Sequence, residues 1–172
     1  MNKPHRVDLD TPIGVLMIVG KDEGVQSILF SDEDQVPEPI RPDTPRALMD
    51  CRLQMEEYFR GERRRFTFPC AAQGTDFQKN VWQALTDVPY AHTVSYKDIA
   101  VAIGNEKAIR AVGSANGKNR LSIVVPCHRI IGSSGALTGY AGGLWRKEWL
   151  LRHEKAIDSA ESGHVCKKES LQ

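Results

Sequence analysis

The chain has 172 residues, 41% of them hydrophobic and 26% charged, which suits one large domain or two small ones and excludes bulk disorder. No apolar run approaches the ~20 residues that span a bilayer, and the polar N-terminus is not expected to be a secretory signal. Four scattered cysteines without a Cys-x-x-Cys pair predict neither a disulfide framework nor a metal site, and the cytoplasm is the expected compartment.

The net charge of +1 hides an asymmetry. Residues 1–75 carry ten Lys/Arg against thirteen Asp/Glu, whereas residues 76–156 carry eleven against six. A basic half of this kind suits a polyanionic partner, although many proteins show such asymmetry by chance.

Residues 13–20 and 25–30 are apolar and β-branched around the turn chemistry of residues 21–24, which predicts a hairpin. The acidic, Pro-rich residues 31–42 read as a loop. Thr44 is expected to cap a helix with Pro45 at its first position. Leu48, Cys51, Met55 and Tyr58 recur at helical spacing, and Gly61 ends the run. Cys51 on that stripe reads as a packed thiol. Residues 65–69 suggest another short strand, and residues 70–74 a linker.

Thr75 with Gln78 forms a capping box for a helix running to about Asp87. Ser95 with Asp98 forms a second, opening a helix through Ile103. Gly104-Asn105-Glu106 reads as a tight turn before a further helix from Lys107 to about Asn116. Two short helices joined by a Gly-bearing turn carry the helix-turn-helix signature. Lys107, Arg110, Ser114 and Lys118 share one face of the second helix, and Ala111, Gly113, Ala115 and Gly117 keep it slim. The same pattern also suits a helical hairpin with a solvated basic face.

Residues 123–125 read as a buried strand leading into Pro126-Cys127-His128-Arg129. A cysteine beside a histidine suits an activated nucleophile, and equally an inert buried thiol beside a surface imidazole. Adjacent residues on a strand point to opposite faces, so a turn or a bridging water is needed to join them. A last helix over residues 144–153 places Lys147 and Glu154 on the stripe of Leu150 and Leu151. A carboxylate there needs a partner; His128 supplies one, unless the helix end is frayed and solvated. Gly139-Tyr140-Ala141-Gly142-Gly143 is a Gly-rich loop that permits close approach of a ligand.

Pro126-Cys127-His128-Arg129, with Ser122-Ile123-Val124-Val125 before it and Gly139-Tyr140-Ala141-Gly142-Gly143 and Arg146-Lys147-Glu148-Trp149-Leu150-Leu151 after it, resembles the O6-alkylguanine–DNA alkyltransferase family, in its bacterial single-function branch. The resemblance is continuous over about residues 75–155 and looser before them. It implies an α/β (α+β) fold: an N-terminal α/β domain with a short antiparallel sheet (1–72), a mainly helical, winged-helix-like domain with a helix-turn-helix (73–156), and a flexible tail (157–172).

The resemblance also implies a repair protein that moves the alkyl group of O6-alkylguanine, and of O4-alkylthymine, irreversibly to its own cysteine. Cys127 is the implied acceptor, His128 its base through a water, and Glu154 the carboxylate that orients His128. Asn119 is the implied brace of the active-site turn, and Tyr96 the contact to the phosphate and base. Arg110 is implied to replace the flipped base, with Lys107, Ser114 and Lys118 on DNA. Tyr140, Ala141, Lys147 and Ile130 match positions around the substrate pocket. Ala141 stands where the human relative has serine, so a backbone donor survives there and a hydroxyl contact does not. The implied partner is double-stranded DNA entered through its minor groove, bound by a monomer with no membrane partner and no cofactor. A relay of this kind also predicts a Cys127 thiol more reactive than a free cysteine near neutral pH. Of the rivals, a thiol hydrolase needs no helix-turn-helix, and a non-catalytic lesion binder lacks the cysteine.

Overall fold

The computed structural model describes residues 3–157. All of the expected tail but Ile157 therefore lies outside the described residues, Cys166 included. The chain divides into two compact units, residues 1–73 with 120–122, and residues 74–119 with 123–172.

The first unit is an antiparallel sheet, β1 (His5–Thr11), β2 (Gly14–Lys21) and β3 (Gly24–Phe30), in that order. β2 and β3 form the expected hairpin, with Lys21 paired to Gly24 and a bulge at Val19/Gly20. β1 is the strand that a charge-based reading misses. Arg6, Asp8 and Asp10 alternate with Val7 and Leu9, and the two apolar residues are buried. Helix α1 (Arg46–Phe59) packs across all three strands. It buries Leu48, Cys51, Met55 and Tyr58, so Cys51 is the packed thiol its stripe implied.

Three local expectations fail in this unit. Thr44 does not cap α1: its hydroxyl donates to the Arg41 carbonyl at 2.8 Å, and Pro45 holds the cap position instead of the first helical one. Residues 65–69 form no strand. The Gln54 side-chain amide binds Thr67 at both its backbone N–H (2.9 Å) and its hydroxyl (2.7 Å), which takes up the Thr67 backbone donor that a sheet ladder would use. The only backbone pairing nearby is the isolated bridge of Val25 with Cys70, so part of the expected linker belongs to the sheet edge.

The second unit is helical. α2 (Asp76–Thr86) and α3 (Tyr96–Ala102) both begin with the expected capping boxes, Thr75 with Gln78 and Ser95 with Asp98. α4 is Ile109–Gly117 and α5 is Leu144–His153. β4 (Val94–Ser95) pairs in parallel with β5 (Ile130–Ile131). α2, α3 and α4 pack on one another around Val81, Leu85, Ile99, Val112 and Ala115. The Trp82 indole N–H donates to the Ala115 carbonyl at 2.8 Å and fixes α2 against α4.

Here too the boundaries move. The turn between α3 and α4 spans residues 103–108 and places Lys107 ahead of the helix rather than in it. Asn105 N–H donates to the Ala100 carbonyl (2.9 Å) and Ala108 N–H to the Asn105 carbonyl (3.0 Å); these bonds hold a wider corner than three residues allow. The buried strand expected over 123–125 is absent. Ile123 lies at φ 75°, an unusual conformation for a β-branched residue, and residues 123–124 form a turn. Among the described residues no helix is long and apolar enough to cross a membrane.

Candidate active site

Cys127, His128 and Arg129 form one turn of 3₁₀-helix between that corner and β5, and all three are buried. The turn removes the geometric objection that a strand raised. A 3₁₀ step rotates successive side chains by about 120° rather than 180°, so neighbours can serve one site. Asn119 braces the approach by donating from Nδ2 to the Val125 carbonyl at 2.9 Å.

Glu154 caps the C-terminus of α5 and is fully buried. Its Oε2 lies 2.7 Å from His128 Nε2. A carboxylate can only accept, so His128 carries its hydrogen on Nε2 and leaves Nδ1 as the basic nitrogen. Nδ1 is buried without a hydrogen-bond partner in the protein. Arg129 completes the site as a residue that sequence reasoning passed over. Its Nε donates to Glu154 Oε1 at 2.7 Å and its Nη2 to Oε2 at 3.0 Å. Nη1 donates to the Val88 carbonyl at 2.8 Å, and the guanidinium lies 5.6 Å from the Tyr90 ring centroid. On a strand Arg129 and His128 would diverge; the 3₁₀ turn brings both to one carboxylate.

The electrostatics follow from these partners. Burial acts to raise the Glu154 carboxyl, but the charges and hydrogen bonds of His128 and Arg129 outweigh it and hold Glu154 ionised well below the usual carboxylate range. Burial pushes His128 down, aided by the charges of Arg129 and Lys147 and opposed by Glu154, so the imidazole is neutral. Burial pushes the Cys127 thiol up, against a hydrogen bond from Asn119 and the charge of Lys147. Burial therefore favours the protonated form of the resting cysteine. Lys147 is itself fully buried. Desolvation lowers its pKa to about 8, partly countered by Cys127; Nζ donates to the Thr138 carbonyl at 2.6 Å.

The remaining predicted residues fall around this centre. Tyr96 begins α3, half-buried, with its hydroxyl 2.7 Å from Thr138 Oγ1. Thr138 therefore receives both Tyr96 and Lys147, a role that no spacing announced. Tyr140 is half-buried and Ala141 exposed in the turn 140–143. Ile130 is buried in β5 opposite Val94. Arg110 and Ser114 are exposed on α4, with Lys118 at its C-cap and Lys107 in the preceding turn, both exposed.

One unit thus holds both a helix pair with an exposed basic face and a buried cysteine beside a His–Glu–Arg cluster. Two family profiles match the chain. Residues 8–72 match the 6-O-methylguanine DNA methyltransferase, ribonuclease-like domain, and residues 76–156 the DNA binding domain of the same family. The constitutive methylated-DNA–protein-cysteine methyltransferase of Bacillus subtilis is 45% identical over 153 residues, covering 85% of this chain and 92% of that protein. The Methanosarcina barkeri protein of that name is 42% identical over 149 residues, 86% and 94% of the two chains. The crystal structure of Mycobacterium tuberculosis O6-methylguanine methyltransferase superposes with a TM-score of 0.77 at 43% identity, covering 90% and 94%. The structure of Mycobacterium tuberculosis OGT in complex with DNA gives 0.78 at 43% identity, covering 88% and 93%. The chain belongs to the 6-O-methylguanine DNA methyltransferase family.

Proposed function

We propose that this protein repairs DNA by moving the alkyl group of O6-alkylguanine to Sγ of Cys127, once per molecule, with O4-alkylthymine as a second substrate. The single observation that carries the assignment of roles is the 2.7 Å bond between His128 Nε2 and Glu154, which leaves the neighbouring Nδ1 basic one residue from the thiol. Because the resting thiol is protonated, the proton must leave as sulfur attacks. His128 Nδ1 accepts it through a bridging water, and Glu154, held by Arg129, stabilises the imidazolium. Sulfur bonds to the alkyl carbon and the carbon–oxygen bond to guanine breaks. The charge left on guanine is met by Tyr96 and by the Ala141 amide. The product is a thioether, which thiol exchange does not reverse.

Residues 73–156 carry both DNA binding and transfer in this reading, and residues 1–72 form the companion domain. A monomer enters the minor groove with α4, where Lys107, Ser114 and Lys118 meet the backbone and Arg110 takes the place of the extruded base. Tyr140, Lys147 and Ile130 surround the alkyl group, no cofactor takes part, and the reaction belongs in the cytoplasm. The test is intact mass and peptide mapping after mixing with duplex DNA carrying one O6-methylguanine. One methyl group on Cys127 per molecule is expected. Methylation elsewhere, or release of product over many turnovers, overturns the reading.

A further inference from the structure

The turn at residues 140–143 is fastened to α5 by a pair of side chains that the family resemblance leaves without a role. Gly143 N–H donates to the Tyr140 carbonyl at 2.9 Å, and Gly143 sits at φ 95°, a conformation open to glycine. Arg146, in the first turn of α5, folds back over it. Its Nη1 donates to the Gly142 carbonyl at 2.8 Å. A Cβ on Gly142 would lie 2.9 Å from the Tyr140 ring and 3.3 Å from Arg146 Cδ, so the Gly142 backbone is held between that ring and the arginine stem. The Arg146 guanidinium lies 4.6 Å from the centroid of the Trp145 ring. Arg146 is 4% exposed and Trp145 57%, so the indole roofs a buried cation. Lys147, the next residue, fixes the other end of the same loop through the Thr138 carbonyl at 2.6 Å.

We propose that Arg146, roofed by Trp145, is a specificity-determining positioning residue that sets the width of the alkyl pocket by holding the Tyr140–Gly142 turn in one place. The inference rests on the alkyl-transfer reading above. Tyr140 is the pocket wall in that reading, and Arg146 touches the backbone that carries it rather than the substrate. A fixed wall costs a methyl adduct nothing. A bulky adduct needs the wall to move, and the hydrogen bond to Gly142, the packing on its backbone and the stack on Trp145 all resist that movement.

The experiment measures single-turnover transfer from one duplex sequence carrying either O6-methylguanine or O6-benzylguanine, and takes the ratio of the benzyl rate to the methyl rate. Arg146→Ala is expected to raise that ratio at least about threefold, as a pocket selective by size allows. Trp145→Ala, a surface change that leaves the buried core intact, should raise it by the same threshold or more. Arg146→Lys keeps a donor and the aliphatic stem, and should return the ratio toward wild type. A purely structural role lowers both rates together and leaves the ratio unmoved. Should Arg146→Ala fail to fold, Trp145→Ala decides. A ratio raised less than threefold in every folded variant overturns the inference while leaving transfer to Cys127 standing. Absence of methyl transfer in the wild-type protein overturns both.

Discussion

Among the described residues each unit buries one carboxylate, and the two are satisfied by different kinds of partner. In the sheet unit Asp8 is 1% exposed. It accepts from Arg6 Nε (2.8 Å), from Arg6 Nη2 (3.0 Å) and from the Glu38 backbone N–H (2.9 Å). Those bonds serve the fold: Arg6 shares β1 with Asp8, and the Glu38 N–H ties the Pro-rich loop to that strand. In the helical unit Glu154 is also held by an arginine, but its third partner is an imidazole whose other nitrogen is still basic. The two cysteines repeat the contrast. Cys51 sits in an apolar stripe, and burial pushes its pKa up, aided by Cys70. Cys127 is equally buried but has Asn119 and Lys147 working against the desolvation. Burial of a reactive residue type is therefore uninformative by itself; what its partners can still do separates a structural group from a chemical one.

The sharpest way to break the comparison is at the cysteines. Cys127→Ser should abolish alkyl capture while retaining DNA binding, whereas Cys51→Ser should capture a full equivalent. Intact mass after incubation with methylated duplex reads both. The carboxylates come next. Glu154→Gln should slow transfer by about 10²–10⁴-fold, the range for a lost acid–base partner, with DNA affinity nearly unchanged. It should also cost about 3 kcal/mol, since Arg129 is left buried without its counter-charge. Asp8→Asn should cost about 2 kcal/mol through the lost charge-assisted bonds and leave the transfer rate within about twofold of wild type. Urea unfolding beside single-turnover repair separates the two effects, and equal loss of rate in both variants would remove the distinction drawn here.

Arg110 tests the exposed face in a similar way. Arg110→Ala should slow repair of duplex substrate about tenfold more than reaction with free O6-alkylguanine base, which needs no extrusion. Arg110→Lys restores charge but not a stacking plane. If lysine rescues fully and the defect vanishes at low salt, Arg110 is one more phosphate contact.

The smallest effect is the dependence of stability on pH. The folded-state pKa of His128 is depressed, so as pH falls through its unfolded value of about 6.5 the unfolded chain takes up the proton first and stability declines. Glu154 is likewise depressed, so a second decline begins near the ordinary glutamate value of about 4.3 and continues downward. Urea midpoints between pH 8 and pH 2 should show both steps. Glu154→Gln should remove the lower one, and an unchanged profile in that variant would place the acid sensitivity elsewhere.

Much of the molecule was legible because its signals are local. Thr75 with Gln78 and Ser95 with Asp98 need only four residues of sequence to satisfy two backbone donors, and both boxes form as written. Leu48, Cys51 and Met55, or Leu150, Leu151 and Glu154, share a face by helical period alone. That period put Glu154 inside the protein, and the Pro-Cys-His-Arg motif named the site around it. Tertiary contacts decided the rest. Residues 123–125 carry the composition of a buried strand, but the chain turns there at Ile123 and Asn119 ties down Val125. That corner turns Cys127, His128 and Arg129 into a 3₁₀ step and brings an arginine and a histidine to one carboxylate. Residues 65–69 lost their strand to a distant glutamine, and Lys107 fell outside α4 because Asn105 widens the turn. Composition and period report what a side chain prefers over a few residues. Which group holds Glu154, and whether the Cys127 thiol rests protonated, depends on atoms brought together from far along the chain.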